Sequence, residues 1–318
     1  MKIKAKSKEG FYGWINLSIL FLFNMTSGAL LITFGIFLPF WVEDFGWSRS
    51  LVSGAQSANM VLIGLVAPLA GFFIMRWGGK AAIITGNLLN ILGLLLLSWF
   101  YDVWQLYLGY GVLIGAGFSL GGVLAMNTII SNWFEKKLSI AVGIATAATG
   151  VTGMLVAPLI LYLINSIGWR KTFLVFAGLI AIFCVILPAL FIKNRPADLG
   201  QAPDGPLSER SESSSKKNNN KATYRTTVDF TAKEAFKTKT LWMLLIFYTL
   251  NYMIMNWVVT HQVTFMFDIG ISSGMSGLVI GIMSTAMTIA QISAGLLALR
   301  INMQFITLGA IAALISGL

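Results

Sequence analysis

One cysteine, Cys184, and one histidine, His261, stand in a chain of 318 residues, and Asp, Glu, Lys and Arg together make up only 11% of it. A single cysteine excludes a disulfide framework or a cysteine metal site within one chain. One His and one Cys cannot make a zinc site unaided. All twelve acidic and all 22 basic residues lie in termini, loops or one polar tether. No paired acid and base is therefore placed to serve a membrane hydrolase, and no phosphate-cradling Walker sequence is present to make the chain an ATP-driven motor. An enzyme is not expected, nor a cofactor or a metal.

What remains is apolar: 57% of the residues are hydrophobic and the mean hydropathy is +0.79. A membrane-spanning helix needs roughly 20 apolar residues, and such runs recur along the chain without the alternation of barrel strands. The fold class is all-α, a polytopic membrane protein. Trp and Tyr near the segment ends suit the two interfacial belts. The first apolar run is too long for a cleavable signal and reads as a signal-anchor helix.

Residues 193–240 are the long polar exception, rich in Ser, Asn, Lys and Pro. Such a segment buries too little apolar surface to offset its ordering entropy and is expected to be largely disordered. It divides the chain into a cytoplasmic N-terminus (1–11), an N-terminal six-helix bundle (12–192), a cytoplasmic linker (193–240) and a partial C-terminal bundle (241–318). Thr231-Ala232-Lys233-Glu234 is a capping-box pattern, and a short interfacial helix is expected from Thr231 to Lys239. About eight complete transmembrane helices and part of a ninth are expected, with a break off in the ninth.

The net charge of +10 follows topology rather than a nucleic-acid partner. With the N-terminus cytoplasmic, every Lys and Arg except Arg49, Arg170 and Lys171 falls on the inner side. That is the positive-inside pattern of a multi-pass plasma-membrane protein.

Uncharged polar residues recur near mid-bilayer: Asn24 and Ser27 in the first span, Asn59 in the second, Thr149 and Thr152 in the fifth, Asn251 in the seventh, and Thr285, Thr288 and Gln291 in the eighth. The last three are spaced to share one helix face. They are candidates to line a substrate cavity. His261, at about 30 Å along its helix by a rise of about 1.5 Å per residue, falls at the outer interface, where it is a candidate proton or substrate sensor. Gly111 and Gly115, then Gly117 and Gly121, form GxxxG pairs that let helices approach closely.

The two halves overlay at a constant offset of 224 residues: Asp44 on Asp268, Gly46 on Gly270, Ser48 on Ser272, Gly71 on Gly295 and Arg76 on Arg300. Ser27 and Asn251 correspond in the same register. A parallel repeat of this kind characterises secondary transporters whose halves are related by an axis along the membrane normal.

The stretch from Gly71 to Lys80, with Arg76 and Gly78, resembles the loop motif between the second and third helices of the major facilitator superfamily. Phe45-Gly46-Trp47-Ser48-Arg49, Asn132-Trp133-Phe134-Glu135-Lys136-Lys137, Gly168-Trp169-Arg170, Arg195-Pro196-Ala197-Asp198-Leu199-Gly200 and His261 through Ser272 resemble its oxalate/formate antiporter and monocarboxylate porter branch. The resemblance implies two six-helix bundles, a central site, alternating access, and a gating role for Gly71, Arg76, Gly78, Lys80, Gly295 and Arg300. It also marks departures. The acidic position of the motif is Met75, and Leu299 in the second half; the branch's arginine in the eighth helix falls on Gln291, and its acidic neighbour on Met287; the lysine of monocarboxylate porters falls near Ile32.

The reading is a secondary active transporter that moves a small organic solute, by resemblance a carboxylate, by alternating access. Its partners are the lipid bilayer and that solute; no nucleic acid is expected, and the oligomeric state is left open. The alternatives are a non-transporting membrane sensor or scaffold, motivated by the missing acids, or a C-terminally truncated, non-functional member of the fold.

Overall fold

The structure is a computed structural model describing residues 10–204, 232–270, 273–299, 301 and 303–317, with the backbone alone in some stretches, among them 31–33 and 255–265. It is helical throughout the apolar runs. α1 is Gly13–Phe45. The helix Arg49–Ser98 is continuous in hydrogen bonding but turns at Gly78, whose φ of 83° and ψ of 164° are not helical. At about 1.5 Å per residue a helix of 50 residues is far longer than one bilayer crossing, so its arms are taken separately as α2 (49–77) and α3 (79–98). α4 is Val103–Trp133, α5 Leu138–Ile167 and α6 Trp169–Phe191. α7 is Lys239–Asp268, α8 Ser273–Leu297 and α9 Met303–Gly317. The all-α, multi-span class expected from the sequence is what the chain adopts.

Two compact units emerge, Met1–Asn218 with Ser284–Leu318, and Asn219–Met283. In the first, the usual pattern of a water-soluble protein is inverted. Asn59, Asn87 and Asn90 are buried, while Leu65, Leu69 and Leu190 are each more than 60% exposed. Buried amides find partners inside the bundle, Asn87 donating to Ile83 O at 2.8 Å and Asn90 to Asn87 Oδ1 at 3.1 Å. Large apolar side chains facing outward over whole helices are what lipid accommodates and water does not.

The two GxxxG pairs of α4 seat two neighbours. A Cβ at Gly115 would lie 3.0 Å from Asn59 O, and one at Gly111 would lie 3.2 Å from Ala58 Cβ, so this pair receives α2. Gly117 and Gly121 receive α3: a Cβ at Gly117 would meet Gly86 O at 2.5 Å, and one at Gly121 would meet Ala82 O at 2.8 Å. A π-helical stretch, Tyr107–Ile114, precedes the second pair and changes the angular offset between the two.

Glu43, Asp44 and Phe45 complete α1, and Gly46 ends the helix in the left-handed region with φ 66°, its N–H donating to Val42 O at 3.0 Å. Trp169 donates its indole N–H to the Asp44 carboxylate at 2.5 Å. The Arg170 guanidinium lies over the rings of Trp169 (4.3 Å) and Tyr101 (4.5 Å) and donates to Phe100 O at 2.9 Å. These contacts join the carboxy-terminal ends of α1 and α3 to the start of α6.

At the end of the bundle that carries Asn16 and Trp133 the start of the expected disordered linker is ordered. Lys193 O accepts from Asn16 Nδ2 (3.1 Å) and Trp133 Nε1 (2.8 Å). Asn194 takes the Lys80 N–H on Oδ1 at 2.9 Å. Pro196–Leu199 forms a 3₁₀ turn, and Ala202 is buried. Asp204, at φ 65°, accepts the backbone N–H groups of Glu135 and Lys136. These contacts supply the ordering free energy that composition alone did not reveal. Residues 205–231 lie outside the described residues.

In the second unit the interfacial helix expected over Thr231–Lys239 is a single turn, Ala232–Ala235, followed by Trp242 donating to Phe236 O at 2.9 Å. The capping box expected there begins at Thr231, outside the described residues.

Candidate functional site

Small residues on α5 create the site. Gly143, Gly150 and Gly153 line a seam into which the carboxy-terminal part of α8 fits. A Cβ at Gly143 would lie 2.8 Å from Gln291 O and 3.2 Å from Gly295 Cα. One at Gly150 would lie 2.7 Å from Ser284 O, and one at Gly153 would lie 2.8 Å from Ser284 Oγ. Reciprocally, a Cβ at Gly295 would lie 2.7 Å from Ser139 O. No larger side chain fits at these places, so the helix backbones meet directly.

α1 closes the other side of α5. Asn24 Nδ2 donates to Ala145 O at 2.8 Å, and Thr152 Oγ1 lies 2.9 Å from Met25 O and 2.8 Å from Ala148 O. A Cβ at Gly28 would lie 3.9 Å from the Thr149 methyl and 4.0 Å from Thr152 Oγ1. Thr149 is the junction. Its hydroxyl donates to Thr146 O at 2.8 Å, and Gln291 Nε2 donates to it at 3.4 Å. Asn24, Ser27, Thr149, Thr152, Thr288 and Gln291, from three distant stretches of sequence, thus belong to one layer of α1, α5 and α8.

Within that layer most donors are committed to backbone carbonyls, as in helix packing, including Thr288 Oγ1 to Ser284 O at 2.9 Å. Ser27 Oγ and Gln291 Oε1 are buried without a partner among the described residues. Other such atoms stand elsewhere, at Trp41, Gln56, Asn59, Asn90 and Asn127.

Asn59 and Thr285 stand apart from this layer. Asn59 is buried between α2 and α4, donating to Tyr110 O at 2.7 Å. Thr285 is exposed on α8, and Asn251 is exposed on α7 in the second unit. The backbone of His261 is helical, but its side chain lies outside the described residues, as does Arg300. Ser284, Ser139 and Gly143 were not singled out from the sequence. The small-residue spacing of α5 was the available signal.

Around the turn between α2 and α3, Gly71 has open space where a Cβ would stand, whereas a Cβ at Gly79 would meet Ala125 O at 2.8 Å. Arg76 lies over the Trp77 ring at 5.2 Å. Burial, and then the nearby Lys193 ammonium, lower the pKa of Lys80 from its ordinary value of 10.5. An open groove of about 840 Å³ beside this turn includes Gly71, Met75, Arg76, Leu124, Asn132 and Arg195 in its lining. Gly295, the repeat counterpart of Gly71, is instead packed in the α5–α8 seam. Among the described residues no group of His, Cys, Asp and Glu is arranged to hold a metal ion.

A family model described as Major Facilitator Superfamily matches residues 17–318. Monocarboxylate transporter 11 of Mus musculus is 29% identical over 170 residues, covering 54% of this chain and 38% of the relative. The Homo sapiens protein of that name is 28% identical over 204 residues, covering 64% and 43%. Monocarboxylate transporter 7 of Homo sapiens is 30% identical over 190 residues, covering 58% and 36%. The chain thus spans less than half the length of these relatives.

Proposed function

The chain belongs to the Major Facilitator Superfamily, and from that premise we propose that it is a secondary active transporter carrying a small organic solute across the membrane by alternating access. It is a polytopic membrane protein, and it acts by binding and moving its solute, not by catalysis. The relatives named monocarboxylate transporters favour a small monocarboxylic acid as the solute. The plasma membrane is the proposed location, with the N-terminus and the linker on the cytoplasmic side, because the basic residues then fall almost entirely inside.

One observation carries the reading: Gln291 of α8 reaches Thr149 of α5 at 3.4 Å, in a glycine seam that also abuts α1. A layer of uncharged hydrogen-bonding groups near mid-membrane, built from segments far apart in sequence, suits a site whose walls separate and close in turn. The inner turn from Gly71 to Lys80, with Gly295 and Arg300, is the proposed gating element. It would hold an access state without the acidic contact usual in the family, since Met75 and Leu299 occupy those positions.

The test is uptake of labelled short monocarboxylic acids by vesicles containing the protein, with and without an imposed gradient. Accumulation against the solute's own gradient is expected. Solute binding without accumulation would replace this reading with that of a non-transporting sensor.

A further inference from the structure

The docked residues 193–204 hold one lysine against another. Lys193 is pinned by its backbone: its N–H donates to Asn16 Oδ1 at 3.2 Å, and its carbonyl accepts from Asn16 Nδ2 at 3.1 Å and from Trp133 Nε1 at 2.8 Å. Asn194 is pinned beside it. Its Oδ1 accepts the Lys80 N–H at 2.9 Å, its backbone carbonyl accepts from Asn132 Nδ2 at 3.1 Å, and its Nδ2 lies 2.6 Å from where a Cβ at Gly78 would stand. The backbones of Lys80 and Lys193 therefore cannot part while the segment is docked.

Three positive features meet at this point. The Lys193 ammonium and burial both act on the Lys80 ammonium, and both disfavour its charge. Lys80 also stands in the first turn of α3, and the amino end of a helix favours anions over cations. The two acids of the docked segment are committed elsewhere. Asp198 Oδ2 accepts the Arg195 N–H at 3.1 Å, and Asp204 accepts the Glu135 and Lys136 N–H groups. Two ammonium groups beside a helix amino end match a phosphate group in charge, about −1.5 to −2 for a monoester, and in its several acceptor oxygens. The level in the bundle suits the same chemistry. Trp77, beside the turn, and Trp14, at the start of α1, are both exposed, as aromatic side chains are among lipid head groups.

We propose that Lys80 and Lys193 hold a phosphate group between them at the amino end of α3, and that this anion fastens residues 193–204 to the bundle. Its source is a lipid head group at that level or a soluble phosphate. The anion bridges the α2–α3 turn and the segment, so it binds the docked form, and its binding free energy adds to docking. The segment is then a strap whose hold depends on the anion. This holds whichever solute the protein carries.

The test is hydrogen exchange at residues 193–204 of the full chain in phosphatidylcholine nanodiscs, titrated with sodium phosphate against sodium chloride of equal ionic strength. A second set of nanodiscs carries added phosphatidic acid and no soluble phosphate. Exchange is expected to slow severalfold in at least one arm. Slowing by phosphatidic acid supports the site with a lipid as its source, and slowing by soluble phosphate alone supports it with the free anion. Lys193→Gln and Lys80→Gln are each expected to lose the response, whereas Lys80→Arg, which keeps the charge, retains it. Exchange that neither arm changes overturns the proposal. So does a response undiminished in a folded, monodisperse Lys193→Gln protein.

Discussion

The indole N–H of Trp169, at the start of α6, donates to the carboxylate of Asp44, at the end of α1, across 2.5 Å. The ring of Trp169 also lies under the Arg170 guanidinium, so one side chain joins an acid, a base and two helix ends. Bonds to an ionised acceptor are shorter and stronger than neutral ones. Asp44→Ala should therefore destabilise the bundle by about 1–3 kcal/mol, whereas Asp44→Asn, which keeps an acceptor, should cost less. Thermal unfolding in detergent, followed by tryptophan fluorescence, would separate the two. Equal losses would show that the contact rests on the charge of the carboxylate and that a neutral acceptor recovers nothing.

The motif glycines around the turn between α2 and α3 should differ sharply. A methyl group at Gly71 meets open space, while one at Gly79 meets Ala125 O at 2.8 Å and the Ile129 side chain. Gly71→Ala should leave the melting temperature of this chain nearly unchanged. Gly79→Ala should cost on the order of 1–3 kcal/mol through overpacking. Monodispersity and melting temperature of the two purified variants check this directly.

The α5–α8 seam should be accessible to crosslinking. In a Cys184→Ser background, Thr149→Cys with Gln291→Cys places two thiols at positions whose native side chains touch. A short bifunctional reagent should join them in the resting protein. Little or no crosslinked product would show that these two positions do not meet in the membrane-embedded protein.

Lys80 should leave a mark on alkaline stability. Its folded pKa is lowered, first by burial and then by Lys193. Between that lowered value and the ordinary 10.5 the unfolded chain holds the extra proton, so stability rises as pH rises through the window. Lys80→Gln should flatten this rise. The melting temperature measured on both proteins up to about pH 10.5 gives the comparison.

Docking of the linker's first residues should be visible by hydrogen exchange. The backbone N–H groups of Glu135 and Lys136 both donate to Asp204. Asp204→Ala should speed exchange at these amides and across residues 193–204. Slow exchange retained in the variant would show that the contacts of Lys193, Asn194 and Gln201 hold the segment without the Asp204 carboxylate.

The spans were legible because long apolar runs and few charges leave little choice within a membrane. The seats for α2 and α3 on α4 were also written in the spacing of Gly111, Gly115, Gly117 and Gly121. The docked linker was not. Pro, Gly and Asp give residues 193–204 a disordered composition, and partners far away in sequence, among them Tyr12, Asn16, Lys80, Trp133 and the 135–136 amides, order them. The polar layer was partly legible. Polarity within an apolar run singled out Thr149 and Gln291 but could not distinguish Thr288, in the seam, from Thr285, exposed on the same helix. Ser284 and Gly143 passed unnoticed because small residues become informative only when a second backbone is placed against them.

The paired glycine seats on α4 have a kinematic consequence. With no side chain between the backbones, α4 cannot slide against α2 or α3 without driving Asn59 O or Gly86 O into its own main chain. The three helices therefore share their degrees of freedom and travel as one piece. Any motion within the first unit must be taken up at joints outside that block.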